Sequence, residues 1–338
     1  MPLVQCSCPK CYSKKIRVAY KYNTISNGCR KMVICKDCKT SFSETKNTFL
    51  HGLKKPVSRI WDVINSRTEG NSLNATCRIF NIAKNTLLTW ERKFISLHHT
   101  LLLYSLAHNF LRLEIEGDEF YTKVAKNVPA DQSSGWTVVL MDRASRFIWE
   151  SSCGKKDKEL FEKAIEMLAT IVEQTEDLTL LTDGERRYGN VLFEICHELL
   201  RTGKPGRPRK TLKKGVTVRV KNKGSQAHKK GRKRPKYQTT SPLHPETMNN
   251  ISDAETHANH VEANNSAMRR KCSAYRRKTN TYAKSISGLQ RVLNVYWVIH
   301  NFVRTHFTTK EVPAVKLGVI ANGLRPKDLF MMQCIQPI

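Results

Sequence analysis

The sequence has few acidic residues and lacks any long apolar run. It contains 29 Asp and Glu against 58 Lys and Arg in 338 residues, a formal net charge of +29. Such an excess of positive charge predicts a polyanionic partner and binding that weakens as salt is added. No stretch of about 18 or more apolar residues predicts a membrane-spanning helix, and no polybasic amphipathic helix lies beside a lipid anchor. The composition therefore favours nucleic acid over a membrane as the partner.

Targeting and nucleotide-binding motifs are missing as well. No signal peptide is recognised at Met1, so we expect a cytoplasmic protein associated with the nucleoid. No G-x4-G-K-S/T loop occurs, so neither hydrolysis of nucleoside triphosphates nor a nucleotide cofactor is indicated. A disulfide framework is not favoured either, because the 11 Cys are odd in number and six lie within the first 38 residues.

Two C-x2-C pairs near the amino terminus are typical of a zinc ribbon. The four cysteines are Cys8, Cys11, Cys35 and Cys38, with 23 residues between the pairs. Two such turns complete a closed tetrahedral site for one structural Zn²⁺, and the metal would supply the folding energy of so small a segment. A redox dithiol is the alternative, and Cys6 or Cys29 remains open as a further ligand.

A helix-turn-helix pattern follows the ribbon. Apolar residues at helical spacing predict a helix over residues 57–64, and residues 72–94 predict a second helix, a tight break near residues 81–83 and a third helix. In helix-turn-helix proteins, residues at the start and on the outer face of such a helix contact base edges and phosphates. The polar residues expected there are Lys84, Asn85, Thr86, Thr89 and Arg92. A three-helix bundle with a polar face is the alternative.

The central region predicts a mixed α/β domain. Strand patterns occur at residues 112–117, 136–141, 146–151 and 178–181. Between the last two, the sequence from Asp157 onward predicts a helix with one apolar face, which packs on a sheet. Asp118 follows the first of these strands and Asp183 follows the last. If those two strands lie parallel and adjacent, both carboxylates reach the crevice at the carboxyl edge of the sheet.

A third carboxylate, Glu262, lies in a predicted helix that begins near Asp253 and reaches at least Lys271. Positions seven apart share a helical face, so Arg269, and Arg276 if the helix continues, would align with Glu262. A carboxylate followed by a basic ridge suits a scissile phosphate and its flanking backbone. A solvated charged helix is the alternative.

Carboxylate oxygens are hard ligands that suit Mg²⁺ or Mn²⁺. Two such ions can clamp the attacking and leaving oxygens of a phosphoryl displacement, so no protein nucleophile is required. Glu116, Glu119 and Glu185 are alternative ligands if a strand register differs by one residue.

A strongly basic segment separates Asp183 from Glu262. Residues 201–237 include 16 Lys or Arg and no acid. Within it, Arg207 and Arg209 belong to a KPGRPRK run that resembles an AT-hook, whose extended Arg-Pro core fits a narrow A·T minor groove. A plain basic loop is the alternative. Alternating valines over residues 216–220 predict a strand inside the segment.

In their order, these motifs resemble those of the transposases of the insertion-sequence-one type. The similarity spans residue 6 to about residue 324 and includes the C-P-x-C and C-x-D-C knuckles, the helix-turn-helix, GDEF at 117–120, LTDG at 181–184 and HVEANNS at 260–266. It continues through the RRK and YRRKTNTY runs between residues 269 and 282.

The resemblance implies a multidomain α/β architecture. Its parts would be a zinc ribbon (1–50), a helix-turn-helix domain (51–97), a connecting helix (98–111), a ribonuclease H-like DDE catalytic domain (112–310) with a basic insertion (201–250), and a C-terminal tail (311–338). It also implies that Asp118, Asp183 and Glu262 bind two divalent ions. The enzyme would cut the element's end to a 3′-hydroxyl that attacks target DNA, bind terminal inverted repeats through its amino-terminal modules, and act as a homo-oligomer.

Three other functions remain open on the sequence. The first is a DNA-binding regulator that uses the ribbon and helix-turn-helix and has an inactive α/β domain. The second is a metal-dependent DNA nuclease of the same fold without strand transfer. The third, a structural nucleoid protein, would need neither the carboxylates nor metal.

Overall fold

The structure is a computed structural model that describes residues 6–182, 185, 187–201, 206–220, 241–242, 259–276 and 279–335. Over these residues, no helix is both long and apolar enough to cross a membrane.

The amino-terminal segment is a three-stranded antiparallel ribbon. Its strands are β1 (Ile16–Thr24), β2 (Gly28–Cys35) and β3 (Ser41–Ser43), in the order β1-β2-β3. The buried interior consists of Val33 and Phe42 with Cys8 and Cys35. So small a core cannot stabilise a fold alone, which makes the cysteines part of what holds the ribbon together.

Three helices follow: α1 (Val57–Arg67), α2 (Leu73–Ile79) and α3 (Lys84–Leu106). The Ser72 hydroxyl accepts a hydrogen bond from the Ala75 amide at 3.3 Å and so caps α2. Asn81 adopts a left-handed conformation in the turn before α3, with φ of 46°. The predicted helix, break and helix over residues 72–94 are confirmed.

The connecting helix predicted over residues 98–111 is not a separate element. The third predicted helix continues without interruption as α3, because no Gly or Pro occurs between Lys84 and Leu106 and apolar residues continue along its buried face. Those buried positions are Leu87, Trp90, Phe94, Leu97 and Leu101. Residues 110 and 111 already belong to the next strand.

The central region is built on a six-stranded sheet. The strands of this region are β4 (Phe110–Tyr121), β5 (Trp136–Asp142), β6 (Ile148–Gly154), β7 (Thr175–Thr182), β8 (His197–Leu200), β9 (Arg209–Leu212), β10 (Val216–Val220) and β11 (Ser241–Pro242). The sheet order is β11-β10-β7-β4-β5-β6, and β8 and β9 form a separate hairpin. Strands β4, β5 and β6 are antiparallel neighbours, whereas β7 runs parallel to both β4 and β10. The predicted mixed α/β sheet is confirmed.

The remaining helices are α4 (Lys158–Glu173), α5 (Arg187–Ile195), α6 (Asn259–Lys271), α7 (Ile286–Phe302), α8 (Pro313–Lys316) and α9 (Pro326–Met331). The Asp157 side chain caps α4 through the Leu160 amide. Helices α4 and α5 lie on one face of the sheet and α6 on the other. Helix α7 covers the outer edge of β6, where the Asn301 side-chain amide bonds both the N–H and the C=O of Ile148 at 2.9 and 2.8 Å. This contact satisfies backbone groups that an edge strand leaves exposed.

The helix-turn-helix and the sheet share one hydrophobic core. His98 of α3 packs edge-on against Trp297 of α7 with ring centroids 4.4 Å apart. Buried Glu91 of α3 pairs with Arg67 of α1 at 2.6 Å and with Arg291 of α7 at 2.9 Å. The three helices are therefore fixed to the sheet domain.

The C-terminal segment, predicted as a tail, packs back onto the amino-terminal half. Phe330 stacks on Phe49 with centroids 4.3 Å apart. The Gln333 side-chain oxygen Oε1 accepts from the Ser7 backbone amide at 2.7 Å, and the Cys334 backbone amide donates to the Asn47 carbonyl at 2.7 Å. These contacts join the ribbon to the main core.

Candidate functional site

Asp118 lies inside β4, and the prediction that its strand ends at Gly117 is wrong. Parallel pairing with β7 ends where Gly117 faces Thr182. Antiparallel β5 pairs with β4 for longer, from Asp118 opposite Val139 to Tyr121 opposite Trp136, and so extends the strand. The two strands do lie parallel and adjacent, as the condition on the site required, and Asp118 directly follows the last described pair.

Asp183, the second predicted ligand, lies outside the described residues. The residue before it, Thr182, ends β7. Because Thr182 pairs with Gly117, the described part of β7 ends beside Asp118 at the carboxyl edge of the sheet. The role of Asp183 stays a prediction.

Helix α6 carries the third predicted ligand over the strand that bears Asp118. The Asn265 amide nitrogen Nδ2 donates to the Asp118 oxygen Oδ2 at 2.8 Å. Glu262 lies three positions before Asn265 and therefore shares its helical face. Asp118 and Glu262 are both half-buried, so one surface of α6 and one face of β4 bring the two carboxylates into the same region.

Asn265 is a site residue that the sequence reasoning missed. It is 2% exposed, and its oxygen Oδ1 is buried without a hydrogen-bond partner among the described residues. A buried amide oxygen that makes no bond is costly and is a hard donor of the kind that Mg²⁺ takes. The signal in the sequence was its position one helical turn after Glu262.

Glu116 holds α6 against β4. Its carboxylate is fully buried, and its oxygen Oε2 accepts from the backbone amides of His260 at 3.1 Å and Val261 at 2.9 Å. Arg143 lies 3.6 Å from the other oxygen. Burial raises the pKa of Glu116 to about 7, while these bonds and the nearby arginines oppose the rise. Glu116 thus positions the helix that carries Glu262.

Glu119 and Glu185, the other alternative ligands, belong to a separate ion cluster. Successive strand residues point to opposite faces, so Glu119 points away from the α6 side. Lys156 lies 2.5 Å from Glu119 and 3.7 Å from Glu185. The Tyr188 hydroxyl donates to Glu119 at 3.3 Å, and burial raises the pKa of Tyr188 well above its usual value. Lys156 therefore forms ion pairs with both carboxylates.

Arg269 lies on the same side of α6 as Glu262, as its spacing predicts. Its guanidinium lies over the Phe120 ring, 5.1 Å from the centroid. Phe120 is two residues after Asp118 and points to the same face. One surface therefore presents Asp118, Glu262, Asn265 and Arg269 together.

Arg276 does not align with Glu262, so that prediction is wrong. Helix α6 ends at Lys271, and residues 273–275 form a short 3-10 turn. The chain turns there because Tyr275 is buried and its hydroxyl bonds that of Thr137 at 2.6 Å. Arg276 instead lies against Gly70, where an added Cβ would lie 2.3 Å from its Nη2 atom.

The predicted DNA-reading residues lie on the outer side of the amino-terminal turns of α3. Lys84, Asn85, Thr89 and Arg92 are exposed, and Thr86 is half-buried. The Thr89 hydroxyl donates to the Asn85 carbonyl at 2.8 Å. Their exposure leaves this face accessible to a duplex, and their contact with DNA stays a prediction.

The basic segment is partly folded into strands. Arg207 is exposed, whereas Arg209 lies in β9 opposite Leu200 of β8. The AT-hook-like run is therefore strand rather than extended loop at Arg209 and Lys210. The predicted strand over residues 216–220 is confirmed as β10, which lies next to β7.

The four predicted zinc ligands lie together. The Sγ atoms of Cys8, Cys11, Cys35 and Cys38 all lie within 4.8 Å of one another. The Cys8–Cys38 and Cys11–Cys35 sulfur distances are 3.4 and 3.6 Å. Sulfurs bound to one tetrahedral zinc at ~2.3 Å would be roughly 3.8 Å apart, so the cluster is compatible with a structural zinc site.

Cys6 and Cys29 are not members of this cluster. The Gln333 amide lies 3.8 Å from the Cys6 sulfur, and Cys29 is exposed. None of the 11 cysteines forms a disulfide, as expected if the clustered sulfurs bind a metal.

Comparison with known proteins adds no family assignment. No protein-family model matches the chain, and no curated protein matches it. The inference of function therefore depends on the positions of Asp118, Glu262 and Asn265, and on the cysteine cluster.

Proposed function

We propose that the chain is a DDE-type DNA transposase that binds the terminal inverted repeats of an insertion sequence and catalyses metal-dependent cleavage and strand transfer. One observation carries the proposal. Asn265 of α6 donates a hydrogen bond to Asp118 of β4, which supports a site formed by Asp118, the Glu262 face of α6 and Asp183, the residue that follows β7 in the sequence.

The strand order supports a ribonuclease H-like catalytic domain. Three antiparallel strands, β4 to β6, are followed by the parallel strands β7 and β10. Helices α4 and α5 form the connections into β7 and β10. Parallel strands with helical crossovers bring loop and strand-end residues to one edge, which suits a site shared by two strands and a helix.

The proposal includes two catalytic Mg²⁺ or Mn²⁺ ions. Asp118, Asp183 and Glu262 would hold them. The Asn265 oxygen Oδ1, which has no hydrogen-bond partner among the described residues, is a further hard donor beside Asp118. When bound, such ions stabilise charge on phosphoryl oxygens and lower the pKa of water. The chain itself orients Asp118 through Asn265, anchors α6 through Glu116, and supplies Arg269 as a cation for the DNA backbone.

The amino-terminal modules would bind the element ends. The cysteine cluster would hold one structural Zn²⁺, and the exposed face of α3 would enter the major groove. Two DNA ends must be held together during transposition, so we propose a homo-oligomer acting on element and target DNA at the nucleoid.

The test uses the DNA that flanks the coding sequence. Terminal inverted repeats bracketed by short direct duplications are expected there, and such DNA becomes the substrate. Wild type should nick and join it only with Mg²⁺ or Mn²⁺. Asp118→Ala and Glu262→Ala should lose both reactions and keep DNA affinity, whereas Glu162→Ala, exposed on α4, should behave like wild type.

Three outcomes would redirect the assignment. Tight specific binding without any cleavage by wild type would favour the regulator. Cleavage without joined products would favour the nuclease. Full activity of Asp118→Ala would remove the site described above from consideration.

A further inference from the structure

A second basic surface lies on the side of α6 turned away from Asp118. It is a groove with a volume of about 440 Å³ between α6, the end of α7 and the loop that follows. Its cations are Arg146, Arg270, Lys271 and Arg304; three histidines also line it, and no acidic side chain is among its lining residues. Glu262, Asn265 and Arg269 do not line it, so it is distinct from the candidate catalytic surface.

The groove holds cations close enough to repel one another. Burial lowers the pKa of Lys271, and Arg304 lowers it further. Burial likewise lowers the pKa of His306, with added repulsion from Arg146 and Lys271. An anion placed among these groups would relieve this repulsion.

Two guanidinium groups of the groove each have a donor that is not used. Arg304 directs its Nη2 atom to Glu69, Asn65 and Thr68, and its Nη1 atom is buried without a partner in the described structure. The Nη1 atom of Arg146 is likewise buried and has no hydrogen-bond partner among the described residues. Buried charged donors without acceptors are costly, so both guanidinium groups lack part of the hydrogen bonding that an anionic oxygen supplies.

An exposed aromatic ring stands at the rim. Phe307 is 84% exposed, and Lys310 lies over its ring, 4.0 Å from the centroid. Backbone bonds from His306 to Glu311 and from Lys310 to His306, both 2.9 Å, close the loop that carries it. A rigid exposed ring beside cations is a stacking platform for a base.

We propose that this groove binds an unpaired nucleic-acid strand, with a backbone phosphate among Arg270, Lys271, Arg146 and Arg304 and the neighbouring base stacked on Phe307. An unpaired strand fits better than a duplex, because stacking on Phe307 needs a free base face and the cavity is only about the size of one nucleotide. The proposal needs neither metal nor cleavage, so it goes beyond the proposed function.

The experiment measures binding of single-stranded oligonucleotides in EDTA, where no metal-dependent reaction occurs. Lys271→Gln and Phe307→Leu should each weaken affinity about five- to tenfold, with a smaller loss for duplex DNA of the same length. Lys271→Gln should also reduce the salt slope by roughly 0.7. Lys327→Gln, an equal charge change at an exposed residue of α9 outside the groove, should bind like wild type.

Photocrosslinking locates the strand. An oligonucleotide containing 5-iodouracil should form an adduct on Phe307 that mass spectrometry identifies and that Phe307→Leu lacks. Since Phe307 is exposed, this substitution leaves the fold intact.

Any of three results would overturn the proposal: no adduct within residues 306–310, equal loss of duplex and single-strand affinity, or displacement of the oligonucleotide by inorganic phosphate at equal concentration. None of these bears on cleavage, so the proposed function stands or fails separately.

Discussion

Gly117 shows how one missing side chain shapes the site. It precedes Asp118, and a Cβ at this position would lie 3.2 Å from Leu140 Cδ2 and 3.3 Å from atoms of Thr182 and Tyr188. Three neighbours from three elements must therefore move if the residue is enlarged. The close approach of β4 to β7 and α5 depends on glycine here.

We expect Gly117→Ala to destabilise the protein by about 1–3 kcal/mol, as overpacking of a filled core does. Urea unfolding measures the change. Gly154→Ala is the matched control, because it is also a strand glycine and its nearest atom, Leu160 Cδ1, lies at 3.5 Å. Equal losses from the two substitutions would contradict the packing explanation.

His300 should make the fold sensitive to acid. Its Nε2 atom bonds the Arg146 carbonyl at 2.9 Å, and burial lowers its pKa from 6.5 to about 3. Between these values the unfolded chain binds more protons than the folded one, so the free energy of unfolding falls as pH falls from about 6.5 towards 3. The loss attributable to this ring is at most about 1.4 kcal/mol per pH unit.

His300→Gln should therefore lose less stability than wild type on acidification. Urea titrations at about pH 7.5, 6.5, 5.5 and 4.5 measure the difference, which should widen below about 6.5. Parallel pH profiles for the two proteins would show that the ring takes up protons equally in the folded and unfolded states.

At the scale of elements, Glu91 joins three helices. Its carboxylate is 1% exposed and bonds Arg67 of α1 at 2.6 Å and Arg291 of α7 at 2.9 Å. Removing it would leave two arginines in the interior without their shared acid, and the loss of one partner from a buried pair is far more costly than the pair is stabilising.

Glu91→Ala should lower the free energy of unfolding by about 3–5 kcal/mol. Asp328→Ala, which breaks the exposed pair with Arg325 at 2.7 Å, should cost about 1 kcal/mol or less. Chemical denaturation of both variants provides the measurement. A small effect at Glu91 would mean that water reaches the cluster.

The ribbon should depend on its metal. We expect about one zinc per chain by elemental analysis, lost in Cys35→Ser and retained in Cys29→Ser, because Cys29 lies outside the cluster. Zinc removal should also make residues 6–48 sensitive to protease, since the metal supplies most of the folding energy of so small a unit. Zinc loss in Cys29→Ser would contradict the ligand assignment.

For the whole molecule, local patterns predicted most elements but few of their boundaries. The C-x2-C spacing, the helix-turn-helix and the individual strands were predicted because each depends on residues close together in the sequence. Strand β4 extends past Gly117 because β5, which is distant in the sequence, continues to pair with it as far as Tyr121. Helix α6 ends before Arg276 because Tyr275 is buried against Thr137. Both outcomes depend on contacts between distant residues.

The candidate site was predictable to a similar degree. Asp118 and Glu262 carried recognisable motifs, whereas the roles of Asn265 and Glu116 depend on how α6 lies across β4. The packing of residues 330–335 against the amino-terminal half could not be predicted from local sequence patterns, because single contacts such as Phe330 on Phe49 produce no periodicity in the sequence.

Helix α3 has a mechanical consequence for the whole molecule. Its 23 residues span about 34 Å in one rigid rod, which is close to one turn of duplex DNA. Its first turns carry the exposed polar residues that are proposed to read DNA, and its far end is followed almost directly by β4, which carries Asp118. On the proposed function, α3 would fix the distance along the DNA between the bound sequence and the position of the cut. One residue inserted into it would rotate the reading face by about 100° and misplace the cut.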